Sequence, residues 1–294
     1  MAIEAGKRER SEFFFGHYVV GVVDILGQSQ AMEKMDFVPS SEEDMARYIE
    51  VVKHSLGIVL RTRDQFKRFY KKFLEHSSDA STTTGLSEEQ RRALAAYKAA
   101  DIDVQMFADT IVPYSLISTP NRPLTVHGTY GIICGIGALM TDAMSQGIAL
   151  RGAIDVGVCT EIECRDIYGA ALARGHHLES KVAQYPRIVV GKGLVRFIRS
   201  ALNNPDPSEL GVINRMMADV VRRLVCVDQD GVRILDYLGE TMREITKEPE
   251  LVALAQKAFG FVVAEQERLS EDPKLGPRYW QLKNYFEARM HLWQ

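Results

Sequence analysis

Two aspartates, each set in an apolar strand-like run, carry the strongest chemical signal in this chain. The first run reads HYVVGVVDILGQS and holds Asp24 near its end. The second reads IDVQMFADTIVPYSLI and holds Asp109 in its middle. A carboxylate in a stretch that otherwise reads as buried is costly unless it is paired or bound to metal. If the two strands lie side by side, the pair makes a hard oxygen site for Mg²⁺ or Mn²⁺. Metal held in that way serves phosphoryl transfer.

The elements around the aspartates follow from spacing. Val19, Val20, Val22, Val23 and Ile25 predict a central strand over 17–26, covered on both faces, with Gly27-Gln28-Ser29 breaking it. Residues 41–75 predict one or two helices. Ser41 and Asp44 resemble a capping box there, and Met45, Tyr48, Ile49, Val52 and Leu56 recur at helical spacing. The end of that stretch sets Phe66, Phe69 and Phe73 under a cationic face. Residues 76–86 read as a polar loop, and Ser87-x-x-Gln90 caps a short helix to Ala100. Residues 102–118 predict a hairpin with Asp109 and Thr110 near its turn, and Pro113 predicts an edge strand or a bulge.

Downstream, 128–146 predicts a Gly- and Ala-rich helix built for close packing, and 148–159 (IALRGAIDVGVC) a strand. A loop then leads to Ile167-Tyr168-Gly169, a helix over 170–180 and a short strand over 187–190. Beyond Gly191 come helices at 192–202 and 208–223, a hairpin turning at Asp230-Gly231, and a helical C-terminal segment rich in aromatics. The order over 17–190 is an α+β pattern of the ferredoxin-like sort.

Composition narrows the classes. With 46% hydrophobic residues in 294, a sizeable core can form. A net charge of −3 gives no basic field, so a nucleic-acid partner is not expected. Cys134, Cys159, Cys164 and Cys226 have neither CxxC nor zinc spacing and read as reduced thiols of a cytoplasmic protein. The N-terminal MAIEAGKRERSEFFF lacks a long apolar segment, which argues against a signal peptide. The most apolar stretch, Tyr130 to Met140, is far shorter than the ~20 residues of a membrane span and reads as a buried helix.

Four motifs in order resemble the class III nucleotidyl cyclase domain. VVDILG resembles its first-strand motif, and FADTI resembles the hairpin that carries the second metal-binding aspartate. RGAIDVGVC resembles the strand after the packing helix, and DIYGAALARGHHLES resembles the segment in which a glycine opens the fourth helix. Length and the extra C-terminal region most resemble the stand-alone bacterial pyrimidine cyclases of Pycsar antiphage systems. The resemblance implies a catalytic domain over 12–190, with a mostly antiparallel sheet flanked by helices. It leaves 191–294 as a C-terminal extension packing on that domain or on a dimer interface.

The resemblance also implies roles. Asp24 and Asp109, with the backbone carbonyl of Ile25, would hold two divalent cations, Mn²⁺ or Mg²⁺. UTP or CTP would become the 3′,5′-cyclic monophosphate plus pyrophosphate, an antiviral second messenger read by a separate cyclic-nucleotide-binding effector. Such domains pair head to tail, so a homodimer with composite active sites is expected, with no nucleic-acid or membrane partner. Backbone N–H groups of the turn Gly27, Gln28 and Ser29 could grip phosphates, although the same turn serves any strand-to-helix junction. Tyr48 is a candidate wall of the base pocket or a core residue. Arg151 could touch phosphate or a partner subunit, or make a strand-end ion pair.

Departures from the family pattern are equally informative. Purine cyclases carry an asparagine four residues after the helix-opening glycine and an arginine eight after it. Those positions are Ala173 and His177 here. Arg174 could supply the missing catalytic cation, or sit on the surface, and His177 could partly replace the arginine. No purine-reading lysine and aspartate are evident, which agrees with a smaller base. A degenerate nucleotide-binding sensor without turnover, or a purine cyclase, are the alternatives. A cyclase that joins two nucleotides is disfavoured, because the hairpin reads FADTIV and not GG[DE]EF.

Overall fold

A computed structural model describes residues 14–27, 38–76, 87–88, 102–119, 124–162, 166–246 and 249–294. The expected loop over 76–86, the helix from Ser87 to Ala100, Gln28, Ser29 and Cys164 lie wholly or mostly outside these residues. Within them the chain is α+β, with a mixed eight-stranded open sheet flanked by helices.

The strands are β1 (Phe14–Ile25), β2 (Asp103–Phe107), β3 (Thr110–Ser118), β4 (Leu150–Ile162), β5 (Asp166–Gly169), β6 (Ile188–Val190), β7 (Val225–Val227) and β8 (Arg233–Leu235). They lie in the order β2-β3-β1-β4-β6-β8-β7, with β5 paired to β4 off this path. β1 is antiparallel to both β3 and β4, whereas β4 and β6 run parallel. The sequence marked β1 as central, and it is. It did not mark β5, because Asp166 and Gly169 dilute a four-residue strand to loop-like composition.

Of the two expectations raised by Pro113, the edge strand fails and the bulge holds. Pro113 lies in β3, which is interior and pairs with β1 and β2. The strand does carry a bulge, four residues on: His17 pairs with Ser118 and Tyr18 with Leu116, so Ile117 of β3 is the extra residue. Pro113 sits between the paired positions Val20–Tyr114 and Val23–Ile111, and its ring packs over Gly21.

The helices are α1 (Glu42–His76), α2 (His127–Ser145), α3 (Ala170–Lys181), α4 (Lys192–Leu202), α5 (Glu209–Arg223), α6 (Glu240–Ile245), α7 (Pro249–Arg268) and α8 (Gly276–Glu287), ending in a 3-10 turn, Met290–Trp293. The stretch expected as one or two helices is the single α1. Its start is capped as the sequence implied, the Asp44 N–H donating to Ser41 Oγ at 3.1 Å. α2 is buried along its length from His127 to Met144, between α1, α7, α5 and the sheet. That placement answers the apolar run: it needs cover on every side, and packed helices supply it. No described helix is long and apolar enough to cross a membrane.

Alternation along β1 divides the core. Val19, Val23 and Ile25 join the main core with Phe66 of α1 and Ile132 and Ile136 of α2. Tyr18, Val20 and Val22 join a smaller core on the other face with Val112, Tyr114 and Ala171, the last from α3. The odd and even rows of one strand therefore serve two helical layers, and whatever follows Val22 in the even row emerges beside α3.

The C-terminal hairpin extends the same sheet, Val189 of β6 pairing with Ile234 of β8. Its turn is pinned by a buried cation. The Arg187 side chain, 3% exposed, bonds Asp228 and Asp230 at 2.7 Å each and the Val182 carbonyl at 2.8 Å. Tyr185 donates its hydroxyl to Asp228 as well. Removing a buried guanidinium leaves its carboxylates uncompensated, at a cost of about 3–5 kcal/mol. Arg187→Met is therefore expected to lower the denaturation free energy by about that amount, read from urea unfolding. A loss under about 1 kcal/mol would mean water replaces the guanidinium cheaply. Cys134, Cys159 and Cys226 are free thiols.

Candidate active site

Asp24 is the next even residue after Val22, so its carboxylate leaves the small core on the α3 side, where cover runs out. Its side chain is 18% exposed. Asp109 occupies the β2–β3 turn beside it. Ala108 holds a left-handed backbone there (φ 52°), a conformation that a non-glycine residue adopts only when its surroundings impose it. The Ile25 N–H donates to the Asp109 carbonyl at 3.2 Å, clipping that turn to the end of β1. Thr110, the register partner of Asp24, donates its hydroxyl to Asp24 Oδ1 at 3.2 Å. The structure thus brings together Asp24, the Ile25 backbone and the Asp109 turn.

Arg151 is the partner of Asp24 on the other side, in β4. Its Nη2 stands 3.6 Å from Asp24 Oδ2, but its closest bond is Nε to Glu179 Oε1 at 2.6 Å. Glu179 comes from α3 and is almost fully buried. Its second oxygen lies 3.6 Å from Nδ1 of the exposed His176. One guanidinium therefore stands between two carboxylates, and it is committed more closely to Glu179 than to Asp24. Burial pushes the Asp24 carboxyl up to about 6, and the charges of Asp109 and Glu179 add to that. Arg151 and the Thr110 hydroxyl pull the other way without cancelling it.

This charge imbalance is the physical test for a cation. Among the described residues no group of three or more His, Cys, Asp or Glu could hold a metal ion by themselves. Two carboxylates are nonetheless compatible with Mg²⁺, which commonly takes one or two and completes its shell with water and substrate phosphate. Asp24 and Asp109 fit that donor set, with the Ile25 carbonyl as a further candidate oxygen.

The remaining candidates are distributed differently. Gly27 lies in the turn after β1 with φ 86°, a conformation suited to glycine, and is exposed. Tyr48 is half-buried on α1, in the helical layer on the opposite face of the sheet from Asp24's neighbour α3. His177 is exposed on α3. Arg174 is engaged elsewhere: its Nε bonds Asp155 Oδ2 at 2.5 Å and its Nη2 bonds the Val156 carbonyl at 2.8 Å. Asp155 is fully buried and also accepts the Leu194 N–H, at the start of α4, at 2.9 Å. The guanidinium reaches it by lying over Gly157, where a Cβ would come within 2.5 Å of Nη2. Asp155 is four residues along β4 from Arg151, or about 13 Å at strand rise.

Three contributors were not singled out from sequence as site residues. Thr110 was placed near the turn, but a hydroxyl beside a carboxylate becomes a partner only once register is known. Glu179 is one charge on a polar helix, and nothing in the spacing said that its side faces inward. Asp155 had a signal, a lone carboxylate inside an apolar strand, of the same kind that drew attention to Asp24.

No protein-family model matches the chain, and no curated protein matches it.

Proposed function

We propose that the chain is a metal-dependent nucleotidyl cyclase of the class III type, acting on a pyrimidine nucleoside triphosphate. The observation that carries this reading is the meeting of Asp24 and Asp109 at adjoining strand ends with too little positive charge around them. The arrangement of the first part of the chain supports it. A strand, a helix, a hairpin, a second helix and a strand form the order β4-β1-β3-β2, the ferredoxin-like arrangement.

In this reading Asp24, Asp109 and the Ile25 carbonyl would hold the divalent cations. When bound, such cations lower the pKa of a ribose 3′-hydroxyl and neutralise a pyrophosphate leaving group. The chain's own residues do the rest. Thr110 orients the Asp24 carboxylate through its hydroxyl. Arg151, held on Glu179, presents a guanidinium at the edge of the site, where a triphosphate oxygen can accept from it. The turn at Gly27 lets the chain leave β1 without crowding the aspartates.

One observation favours the second reading, a nucleotide sensor without turnover. Arg174, the best candidate for a transition-state cation, is already bonded to Asp155. Incubation with each of the four nucleoside triphosphates and Mn²⁺, followed by product mass, separates the two. Cyclic UMP or cyclic CMP is the expected product. Tight binding without product would favour the sensor, and neither binding nor product would remove both.

A further inference from the structure

Helix α1 is two helices in one respect. Its second half is built into the core through Ile58, Val59, Phe66, Phe69, Tyr70 and Phe73. Its first half carries four large aliphatic side chains that the described residues leave open: Met45, Ile49, Val52 and Leu56, exposed by 47%, 44%, 38% and 48%. Their 4-3-4 spacing is the seam of a two-stranded coiled coil. Isolated exposed aliphatics are ordinary, but a continuous row on one helix marks an interaction surface.

The row is self-complementary. Reversed, it superimposes on itself, so that two copies laid antiparallel set Met45 against Leu56 and Ile49 against Val52 in consecutive layers. That is the symmetry of an isologous contact. Charge chooses the same direction. The first turn is acidic, with Glu42, Glu43 and Asp44, whereas the exposed cation Arg61 follows further along the helix. A parallel pair stacks the acidic turns on each other. An antiparallel pair sets each opposite the partner's residues 57–59, within one turn of its Arg61, and aligns the helix dipoles favourably.

We propose that the first half of α1 is a self-association strip, on which a second copy of the chain lays its own α1 antiparallel. This contact is separate from the site at Asp24 and holds whatever that site does. A four-residue seam falls in the class of small, reversible interfaces, below about 1,200 Å². It adds a weak concentration-dependent step to any oligomer formed elsewhere on the molecule.

Sedimentation velocity of the full chain from roughly 10 to 500 μM, the range of weak small interfaces, reads this directly. The wild-type weight-average mass is expected to rise across that range. In Ile49→Glu/Leu56→Glu carboxylates set unpaired against the partner's Val52 and Met45 should raise the dissociation constant at least about tenfold. The milder Ile49→Ser/Leu56→Ser should show a smaller shift in the same direction, and it guards against a folding defect in the first variant. Direction is read by oxidative cross-linking. A mixture of Met45→Cys and Leu56→Cys chains should form the mixed disulfide, while Met45→Cys alone should not, its two thiols lying about 16 Å apart along antiparallel helices. A constant wild-type mass, an association unaffected by both double variants, or a Met45→Cys homodimer in place of the mixed disulfide overturns the proposal.

Discussion

Asp24→Asn should lose nucleotide cyclisation by about 10³-fold while keeping its fold, and Asp109→Asn should do the same. Each change removes an anionic oxygen from the place where the end of β1 and the β2–β3 turn come together. The stability of Asp24→Asn should move in the opposite direction. Burial, Asp109 and Glu179 disfavour the ionised Asp24 and push its carboxyl up to about 6. A carboxyl raised in the folded state contributes stability below its unfolded value of 3.8, and that contribution is lost as pH rises through about 6. Without divalent cations, Asp24→Asn should therefore melt above wild type at pH 7–8. The gap should close as pH falls from about 6 toward about 4. Added Mn²⁺ should raise the wild-type melting temperature and leave the variant's nearly unchanged. Wild-type rates in both variants, or equal Mn²⁺ stabilisation of wild type and Asp24→Asn, would place the chemistry elsewhere.

Arg174→Ala should act first on stability. Asp155 is fully buried, and Arg174 supplies its compensating charge. Stripping a partner from a buried ion pair costs about 3–5 kcal/mol, and the low end applies because the Arg174 side chain is 43% exposed to water. The loss should appear as a lower urea midpoint. The double change Arg174→Met/Asp155→Asn should recover much of it, since no charge is then left uncompensated. Asp155 ties β4 to α3 and to the start of α4, so the single variant should also loosen α3 in hydrogen exchange. An unchanged midpoint with a lower kcat would mean that the guanidinium leaves Asp155 and acts on substrate.

These two residues mark how far the sequence could be read. Asp24 was legible because a charge at the end of a valine-rich strand conflicts with its surroundings, and the conflict itself points to a partner. Register decided Arg174. Helical spacing from Gly169 marks candidate positions, but it does not show that Asp155, in β4, faces Arg174. Element types were legible wherever the apolar period was long, as in β1, α2 and the α4–α5 pair. Pro113 is compatible with an edge strand or a bulge, and register decides: β3 is interior, with Pro113 opposite Val104 of β2 and the bulge at Ile117. The first half of α1 was legible as a helix but not as a surface. Met45, Ile49, Val52 and Leu56 have the period of a core face, but periodicity says only that one side of a helix is apolar. It does not say whether the chain itself supplies the cover.

The sharing of cations by Asp24 and Asp109 is tested most directly by anomalous diffraction from crystals soaked in Mn²⁺ with a non-hydrolysable pyrimidine nucleoside triphosphate. The account predicts Mn²⁺ peaks bounded by both carboxylates, at about 2.1 Å from their oxygens, with Arg151 still held on Glu179. A site without Mn²⁺, in which Arg151 has closed onto Asp24 as its permanent counter-charge, would contradict it.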